Sequence, residues 1–177
     1  EDPAPMQAVA RELSRFDWVV FTSVNGVSHL FASLARLGLD ARAFGGCRIA
    51  AIGSGTADEL GRRGLVPDLV PDRFTSRGVL EALVQANEVR GRRFLLPRAD
   101  IAPPFLPDSL AEEGAVDVTS VVAYRTVPGI PSDSALEQLR NGSVDAITFT
   151  SASTAANYAA LCRDHLGAIP TAPRHIS

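Results

Sequence analysis

The amino-acid sequence predicts an α/β protein of two similar domains, each with a parallel sheet flanked by helices, with a ligand cleft between them. The pattern Asp-x-x-x-Phe-Thr-Ser occurs twice, at residues 17–23 and 145–151. Each copy is an apolar run that ends in two hydroxyl residues and precedes an Ala-rich or Leu-rich segment, as expected of a buried parallel strand that leads into a helix. Strand-like and helix-like segments also alternate along the chain, which is typical of βαβ units.

The first predicted unit is a strand at 18–22 followed by a helix at 25–37, whose apolar residues recur at helical spacing. Gly38 ends this helix and Gly64 ends the next one, because glycine readily adopts the left-handed conformation found after helices. Thr75 and Ser76 supply the cap of a third helix. The other predicted elements are strands at 48–52, 68–70, 93–96, 116–126 and from 144, and helices ending near 63 and 86 and at 104–113, 132–140 and 153–165.

The domain boundary is predicted after the long β-branched strand that carries Tyr124. Prolines follow this strand, and the repeated unit then starts again. We expect residues 1–124 to form a first complete domain, residues 125–131 to form the crossover and hinge, and residues 132–177 to form part of a second domain joined by a two-strand crossover. The second domain is expected to continue outside this chain, because about 45 residues cannot bury both faces of a parallel sheet. No strand is predicted in the tail at 170–177.

Composition indicates a globular protein that does not bind nucleic acid. The chain has 177 residues, of which 46% are hydrophobic, and its net charge is −3, whereas nucleic-acid binding needs a concentrated basic face. No apolar run approaches the roughly 20 residues of a membrane span, and the N-terminus does not resemble a signal peptide, so a cytoplasmic protein is expected. Cys47 and Cys162 lack metal-site or disulfide-framework spacing and are interpreted as structural.

Groups that can bind anions follow four predicted strands. They are Thr22-Ser23, Gly53-Ser54-Gly55-Thr56, Arg98-Ala99-Asp100 and Thr150-Ser151-Ala152-Ser153. Each could be a helix cap alone, but four of them on facing sheets favour a site for a ligand with many carboxylates or phosphates. Every basic residue is Arg, whose guanidinium suits such groups.

Motifs typical of several common enzyme classes are absent from the sequence or incomplete. There is no phosphate-binding loop with its lysine and no Gly-x-Ser-x-Gly elbow. The turn at Gly53 partly matches a dinucleotide fingerprint, but Asp58 stands where the third glycine belongs, which argues against the alternative of a Rossmann-type oxidoreductase. The three histidines lack metal-ligand spacing, and His29 and His165 are expected to be ordinary, partly exposed residues.

Four segments together resemble the uroporphyrinogen-III synthase family. They are Trp18-Val-Val-Phe-Thr-Ser-Val-Asn-Gly-Val27, Ala51-Ile-Gly-Ser-Gly-Thr-Ala57, Val121-Val-Ala-Tyr-Arg-Thr126 and Ile147-Thr-Phe-Thr-Ser-Ala-Ser-Thr154. They occur in the family's order and spacing, and the resemblance covers residues 17–161. It implies a first strand and helix before Glu1, and after Ser177 a strand ending in an Ile-Gly-Pro-x-Thr-like turn.

The resemblance also implies a reaction. Enzymes of this family cyclise the linear tetrapyrrole hydroxymethylbilane to uroporphyrinogen III, with loss of water and inversion of ring D, in the biosynthesis of haem and related tetrapyrroles. The substrate, which carries eight carboxylates, supplies both nucleophile and electrophile, so neither a metal nor an organic cofactor is expected. A small-molecule substrate, no membrane partner and a monomeric state are the matching expectations. The alternative is a non-catalytic anion-binding or tetrapyrrole-binding module of the same fold.

Tyr124 matches the family's tyrosine near the crossover, and the resemblance gives it a catalytic role in the departure of the substrate hydroxyl. Tyr158 is interpreted as a packing residue. The residues expected to bind substrate are Thr22, Ser23, Asn25, Gly53, Ser54, Thr56, Arg98, Thr150, Ser151 and Ser153.

Overall fold

A computed structural model describes residues 3–127, 129–149, 152–171 and 174–176 of the chain. The chain divides into two compact units, Glu1–Thr126 and Val127–Ser177.

The first unit contains a four-stranded parallel sheet with helices on both faces, which confirms the predicted fold class. The strand order is β2-β1-β3-β4. The strands are β1 (Trp18–Phe21), β2 (Arg48–Ala51), β3 (Arg93–Ala99) and β4 (Asp117–Tyr124). The helices are α1 (Ala4–Arg11), α2 (Val24–Arg36), α3 (Ser54–Arg62), α4 (Ser76–Gln85) and α5 (Phe105–Glu112), with short 3-10 helices at Leu13–Arg15 and Ala41–Phe44.

The core lies in two layers because side chains of a strand alternate between the faces of the sheet. Val19 and Phe21 of β1 pack among residues of α1, α2 and α3. Trp18 and Val20 point to the opposite face and pack against α4 and α5. All four residues of β1 are buried, which explains why this strand is an unbroken apolar run in the sequence.

The aspartate of the first repeat copy has a structural role. The Asp17 carboxylate accepts a hydrogen bond of 2.8 Å from the Arg93 backbone amide, and the Asp17 amide donates to the Arg93 carbonyl at 2.9 Å. Asp17 thereby joins the starts of the neighbouring strands β1 and β3. The predicted short strand at 68–70 is reduced to one bridge, between Leu69 and Ala50 of β2.

Two further features of the first unit differ from the sequence predictions. Helix α1 was not predicted, because Pro3 and Pro5 suggest an irregular segment; a helix nevertheless tolerates proline in its first turn. Strand β3 was predicted to end at Leu96 but continues through Pro97 to Ala99. Pairing of β3 with β1 stops at Leu95, so only β4 pairs with β3 at Pro97, and the missing N–H group of proline is tolerated there.

The second unit contains a βαβ succession. Helix α6 (Asp133–Arg140) is capped by Ser132, and helix α7 (Ala152–Leu166) connects β5 (Ala146–Thr148) to β6 (Arg174–Ile176), which pairs with β5 in parallel. Strand β6 corrects the expectation of a tail without a strand; the segment is only three residues long and follows prolines, so it gives no strand signal in the sequence.

Two side chains of α7, those of Tyr158 and Cys162, lie in packed surroundings. The rings of Tyr158 and Phe149 lie 5.4 Å apart, and burial together with a hydrogen bond involving Cys162 raises the pKa of Tyr158 to about 12. Cys162 itself is fully buried.

None of the helices in the described part of the chain has the length and apolar character needed to cross a membrane.

Candidate active site at the carboxyl edge of the first sheet

The first sheet has a topological switch point between β1 and β3. The chain proceeds from β1 to β2 on one side of the sheet and from β3 to β4 on the other. Ligands of open parallel sheets bind at such points, outside the carboxyl ends of the strands. Because β1 and β3 stop pairing after Val19 and Leu95, their carboxyl ends are free to line a crevice.

A cavity of about 200 Å³ lies at this point. Four strand ends contribute to it: Thr22 follows β1, Ile52 follows β2, Arg98 belongs to β3 and Tyr124 ends β4. The remaining lining residues are Ser76, Ala99, Ala102, Pro103 and Leu106. This set includes one guanidinium and no carboxylate, so the described lining favours an anionic ligand group.

A β-bulge orients Tyr124. Arg98 of β3 is in register with Val122, but the next residue, Ala99, is in register with Tyr124, so Ala123 is an extra residue in β4. Without the bulge, strand alternation would place Tyr124 on the same face as Val118, which packs with α4 and α5. Instead Tyr124 packs with the cluster on the α2 face of the sheet.

On that face Tyr124 contacts Ser23, at the start of α2, and His29, in the second turn of this helix. Its phenol oxygen lies within hydrogen-bond distance of Ser23 Oγ, at 3.1 Å. Its ring stacks on the His29 imidazole, with centroids 5.7 Å apart and planes inclined by 17°. Ser23 is the N-cap of α2, and its Oγ also accepts the Gly26 amide at 3.0 Å. Tyr124 is therefore attached to the first turn of a helix whose free amides face the switch point.

Gly26 allows α2 to approach the sheet closely. A Cβ atom at this position would lie 2.7 Å from the Pro97 carbonyl oxygen and 3.4 Å from Ser23 Oγ. The absence of a side chain therefore lets the first turn of α2 pack directly on the last residues of β3.

Arg98 lies in the cavity wall and is half-buried. Its guanidinium donates to the Pro103 carbonyl, which ties the wall to the start of α5. Burial lowers the pKa of Arg98, and the charge of Asp108 opposes this effect; the guanidinium stays cationic at neutral pH. With five N–H donors, Arg98 can hold the loop and bind an anion at the same time.

Asp100 has a different role from the rest of its predicted anion loop. Its carboxylate accepts the Ile101 amide at 2.9 Å and the Thr126 amide at 3.0 Å, and its own amide donates to the Tyr124 carbonyl at 3.1 Å. Asp100 thus binds the Tyr124 carbonyl and the Thr126 amide, which fixes the chain at and directly after Tyr124.

The other predicted site residues of the first unit follow β1 and β2 but differ in exposure. Asn25 and Ser54 are exposed in the first turns of α2 and α3. Gly53 lies under Phe74, whose Cγ would be 2.9 Å from a Cβ atom at position 53. Thr56 is only 4% exposed, so its side chain packs inside the protein and does not face a ligand. Thr150 and Ser151 lie outside the described residues, as does the side chain of Ser153 in α7.

The sequence analysis did not predict two residues of the candidate site, Ser76 and His29. Ser76 belongs to a third Phe-Thr-Ser segment, at residues 74–76, and this repetition of the motif could have identified it. His29 is exposed, as expected, but its stacking on Tyr124 has no sequence signal, because it depends on the bulge in β4.

A larger cavity of about 690 Å³ lies beside α1, α2 and β4, and His29 and Arg125 are among its lining residues. We place the site at the smaller cavity because the predicted residues Thr22, Arg98 and Tyr124 meet there. The stacked His29 and Tyr124 rings lie between the two, since His29 lines the larger cavity and Tyr124 the smaller.

The titratable side chains of the described residues outside the cavity form no cluster that could be a metal centre. Within the described residues, no three His, Cys, Asp or Glu side chains are grouped so that they could hold an ion. Cys47 Sγ donates to the Leu13 carbonyl at 2.9 Å, and burial, aided by the charge of Asp17, raises the pKa of the thiol to about 11. Cys47 therefore stays protonated at neutral pH.

Comparisons with known proteins agree with the resemblance found in the sequence. A family model described as uroporphyrinogen-III synthase HemD matches residues 1–174. A uroporphyrinogen-III synthase of Synechococcus elongatus is 30% identical over 167 residues, which are 92% of this chain and 61% of that protein. A porphyrin biosynthesis protein HemD of Ruminiclostridium josui is 31% identical over 154 residues, which are 86% of this chain and 30% of that protein.

Two solved structures are also similar. Wild-type uroporphyrinogen III synthase of the extremely thermophilic bacterium Thermus thermophilus matches with a TM-score of 0.59 and 26% identity, over 95% of this chain and 66% of that one. A mutant of the Thermus protein matches with a TM-score of 0.62 and 25% identity, over 89% of this chain and 61% of that one. The chain thus spans less than two thirds of the length of these structures and of the cyanobacterial relative.

Proposed function

Because the chain belongs to the uroporphyrinogen-III synthase family, we propose that the full-length protein cyclises hydroxymethylbilane to uroporphyrinogen III, with inversion of ring D and loss of water. This is the reaction of a cyclising hydro-lyase. The observation that carries the proposal is the hydrogen-bonded pair of Tyr124 and Ser23 beside a cavity that contains Arg98 and no carboxylate.

The chemistry of this reaction matches the groups at the switch point. The substrate hydroxyl must leave, a cation develops on the substrate, and the terminal ring attacks through its substituted carbon before it rearranges. Since the substrate supplies nucleophile and electrophile, the protein has to fold it, bind its acidic side chains and assist the departing hydroxyl. Hydroxyl groups, backbone amides and a guanidinium can do all three, and no cofactor is required.

The size of the cavity indicates which part of the substrate it would hold. A volume of about 200 Å³ accommodates one acidic substituent of the substrate or the hydroxymethyl end of the linear tetrapyrrole, but not the whole tetrapyrrole. We assign Arg98 to a carboxylate and Tyr124 to the departing hydroxyl. The exposed Asn25 and Ser54, with Thr22 and the amide of Gly53, are proposed further contacts along the same edge.

Additional contacts are proposed from the repeat in the second unit. Thr150, Ser151 and Ser153 occupy the positions in the sequence that correspond to Thr22, Ser23 and Asn25 in the first copy. They are assigned to substrate on this correspondence alone. A cytoplasmic, monomeric protein remains the expectation.

The proposal is tested by the isomer that the protein forms. The full-length protein is incubated with freshly prepared hydroxymethylbilane, and the products are oxidised and separated by chromatography, with a heat-treated sample as control. We expect the type III isomer to exceed the type I isomer, which forms spontaneously. Binding of the tetrapyrrole with formation of type I alone would instead identify a non-catalytic binding module.

A further inference from the structure

We propose that the larger cavity, beside α1, α2 and β4, is a second substrate subsite that binds one pyrrole ring with its acidic substituents. This inference rests on the proposed function and deepens it, because the cavity of about 200 Å³ holds only a small part of the substrate. The larger volume of about 690 Å³ lies within the roughly 300–1,000 Å³ of small-molecule sites. All of its lining residues belong to the first unit.

Two guanidinium groups line this cavity from different elements. Arg36 is the last residue of α2, and Arg125 directly follows β4. Among the described residues no carboxylate lies within ion-pair distance of either group, whereas Arg15, Arg48 and Arg92 of the same unit have such partners. Each guanidinium can therefore bind a carboxylate of a ligand. Eight carboxylates on four pyrrole rings amount to two on each ring, which matches the two arginines.

One carboxylate also lines the cavity, that of Asp100. Its Oδ1 accepts the Ile101 and Thr126 amides, so backbone dipoles offset part of its charge. The guanidinium groups of Arg36 and Arg125 outnumber this carboxylate. The described lining therefore favours an anionic ligand over a cationic one.

The free edge of β4 supplies acceptors for a pyrrole N–H group. In the described part of the chain β4 is the last strand of its sheet and pairs only with β3. Its residues 120–123 line the cavity. The outer edge of such a strand presents unpaired carbonyl groups, and a carbonyl accepts a hydrogen bond from an N–H donor.

Apolar side chains complete the wall of the cavity. Met6, Val121 and Ala123 are buried residues of this wall, and Pro3 and Pro5 are its exposed members. The cavity thus combines an apolar surface, carbonyl acceptors and two guanidinium groups. This combination is complementary to an apolar ring that has one N–H donor and two carboxylates.

The larger cavity lies next to the smaller one. His29 lines the larger cavity and stacks on Tyr124, which lines the smaller, with ring centroids 5.7 Å apart. Neighbouring pyrrole rings of a linear tetrapyrrole are joined by a single carbon, so one substrate molecule can reach both cavities past this aromatic pair. The smaller cavity then binds the reacting end, and the larger cavity binds a ring that does not react.

The first test is the binding of a single ring. The probe is a pyrrole that carries one acetate and one propionate group, and its Kd for the full-length protein is measured by NMR titration. Arg36→Gln combined with Arg125→Gln is expected to raise this Kd at least about tenfold, because hydrogen bonds to charged groups are lost. Arg11→Gln removes an exposed arginine of α1 that lines neither cavity and should leave the Kd unchanged.

Arg98→Gln separates the two cavities in the same titration. Because Arg98 lines only the smaller cavity, this variant should bind the probe more tightly than the double arginine variant. Loss of binding in Arg98→Gln, with binding kept in the double variant, would place the ring in the smaller cavity and overturn the subsite. Failure of wild type to bind the probe would also overturn it, and is the result expected if another segment of the protein covers the edge of β4.

The second test is turnover of hydroxymethylbilane. A subsite away from the reacting bond binds substrate and transition state alike, so loss of Arg36 and Arg125 should raise KM more than it lowers kcat. Tyr124→Phe should lower kcat more than it raises KM. Thermal unfolding checks that the double variant is folded; its Tm should stay close to that of wild type, since no ion pair among the described residues is broken.

The outcomes separate this inference from the function on which it rests. If wild type forms no type III isomer but binds the probe through Arg36 and Arg125, the proposed function fails and the subsite stands. If wild type forms the type III isomer and the double variant keeps both the KM and the Kd of wild type, the function stands and the subsite is overturned.

Discussion

His29 stabilises the position of Tyr124 by ring stacking. The two rings are nearly parallel, and His29 lies one turn beyond Asn25 in α2. An aromatic pair of this kind contributes about 0.5–1.5 kcal/mol. The stacking of His29 on Tyr124 therefore helps to hold the phenol beside Ser23.

We predict that His29→Ala lowers kcat by up to about tenfold, the rate equivalent of losing that stacking energy, with little change in KM. His29→Phe preserves the stacked ring and should remain close to wild type. Steady-state turnover by both variants checks this prediction. In a Tyr124→Phe background His29→Ala should have no further effect; an equal loss there would mean that His29 does not act through Tyr124.

Single residues also mark the limit of sequence reasoning. The sequence predicts Tyr124, Ser23 and Arg98 as site residues; Ser23 and Arg98 each follow a predicted strand, and Tyr124 lies near the end of one. It could not place Tyr124 beside Ser23, because an extra residue in β4 reverses the face on which Tyr124 lies, and a one-residue bulge leaves no pattern in an apolar, β-branched strand. Thr56 had the same sequence signal as Ser54 but is buried.

At the scale of elements, helix starts and strand ends build the cavity together. Helices α2 and α4 begin at the same edge of the sheet, capped by Ser23 and Thr75, and each has a glycine three residues after its cap. These boundaries could be predicted, because cap residues and glycine stops have local causes. The length of β3 could not, since it depends on which neighbour pairs at Pro97.

Gly78 provides a test of the packing at the start of α4. A Cβ atom at this position would lie 2.1 Å from the Arg73 carbonyl oxygen, so we predict that Gly78→Ala destabilises the fold by about 1–3 kcal/mol through overpacking. Gly61 in α3 has open space at its Cβ position, so Gly61→Ala should stabilise by up to about 1 kcal/mol. Urea unfolding of both variants measures the difference; a neutral Gly78→Ala would refute the close approach.

At the scale of the whole molecule, the sheet topology determines where a ligand can bind. The strand order is β2-β1-β3-β4. It arises because the chain passes from β1 through α2 to β2 towards one edge of the sheet, and from β3 through α5 to β4 towards the other edge. The sequence predicted the parallel sheet from the alternation of elements. It did not give the strand order, because neighbours in a parallel sheet are chosen by packing between distant segments.

The stability of the first unit should depend on the charged cluster around Glu88, at the opposite end of the sheet from the cavity. Glu88 pairs with Arg48 at 2.6 Å and Arg92 at 3.3 Å, and accepts the Trp18 indole at 3.4 Å. Burial acts to raise the pKa of Glu88, but the hydrogen bonds from Arg48 and Trp18 outweigh it and leave the pKa below its ordinary value.

A lowered pKa means that the folded state binds the proton less readily than the unfolded state. The contribution of Glu88 is therefore complete above the unfolded pKa of about 4.3 and is lost as the pH falls through the folded pKa. We predict that wild type loses more stability than Glu88→Gln between pH 6 and pH 3. Urea unfolding at each pH provides the comparison; parallel losses would show that Glu88 is not coupled to folding.

The most direct test of the active-site assignment is the turnover of Tyr124→Phe in the full-length protein with hydroxymethylbilane as substrate. The substitution removes only the phenol oxygen, so folding should change by no more than about 0.5–1.5 kcal/mol, which thermal unfolding can verify. We predict that kcat for the type III isomer falls at least about tenfold while the protein stays folded. Turnover equal to that of wild type would remove Tyr124 from the mechanism and contradict the placement of the active site at this edge of the sheet.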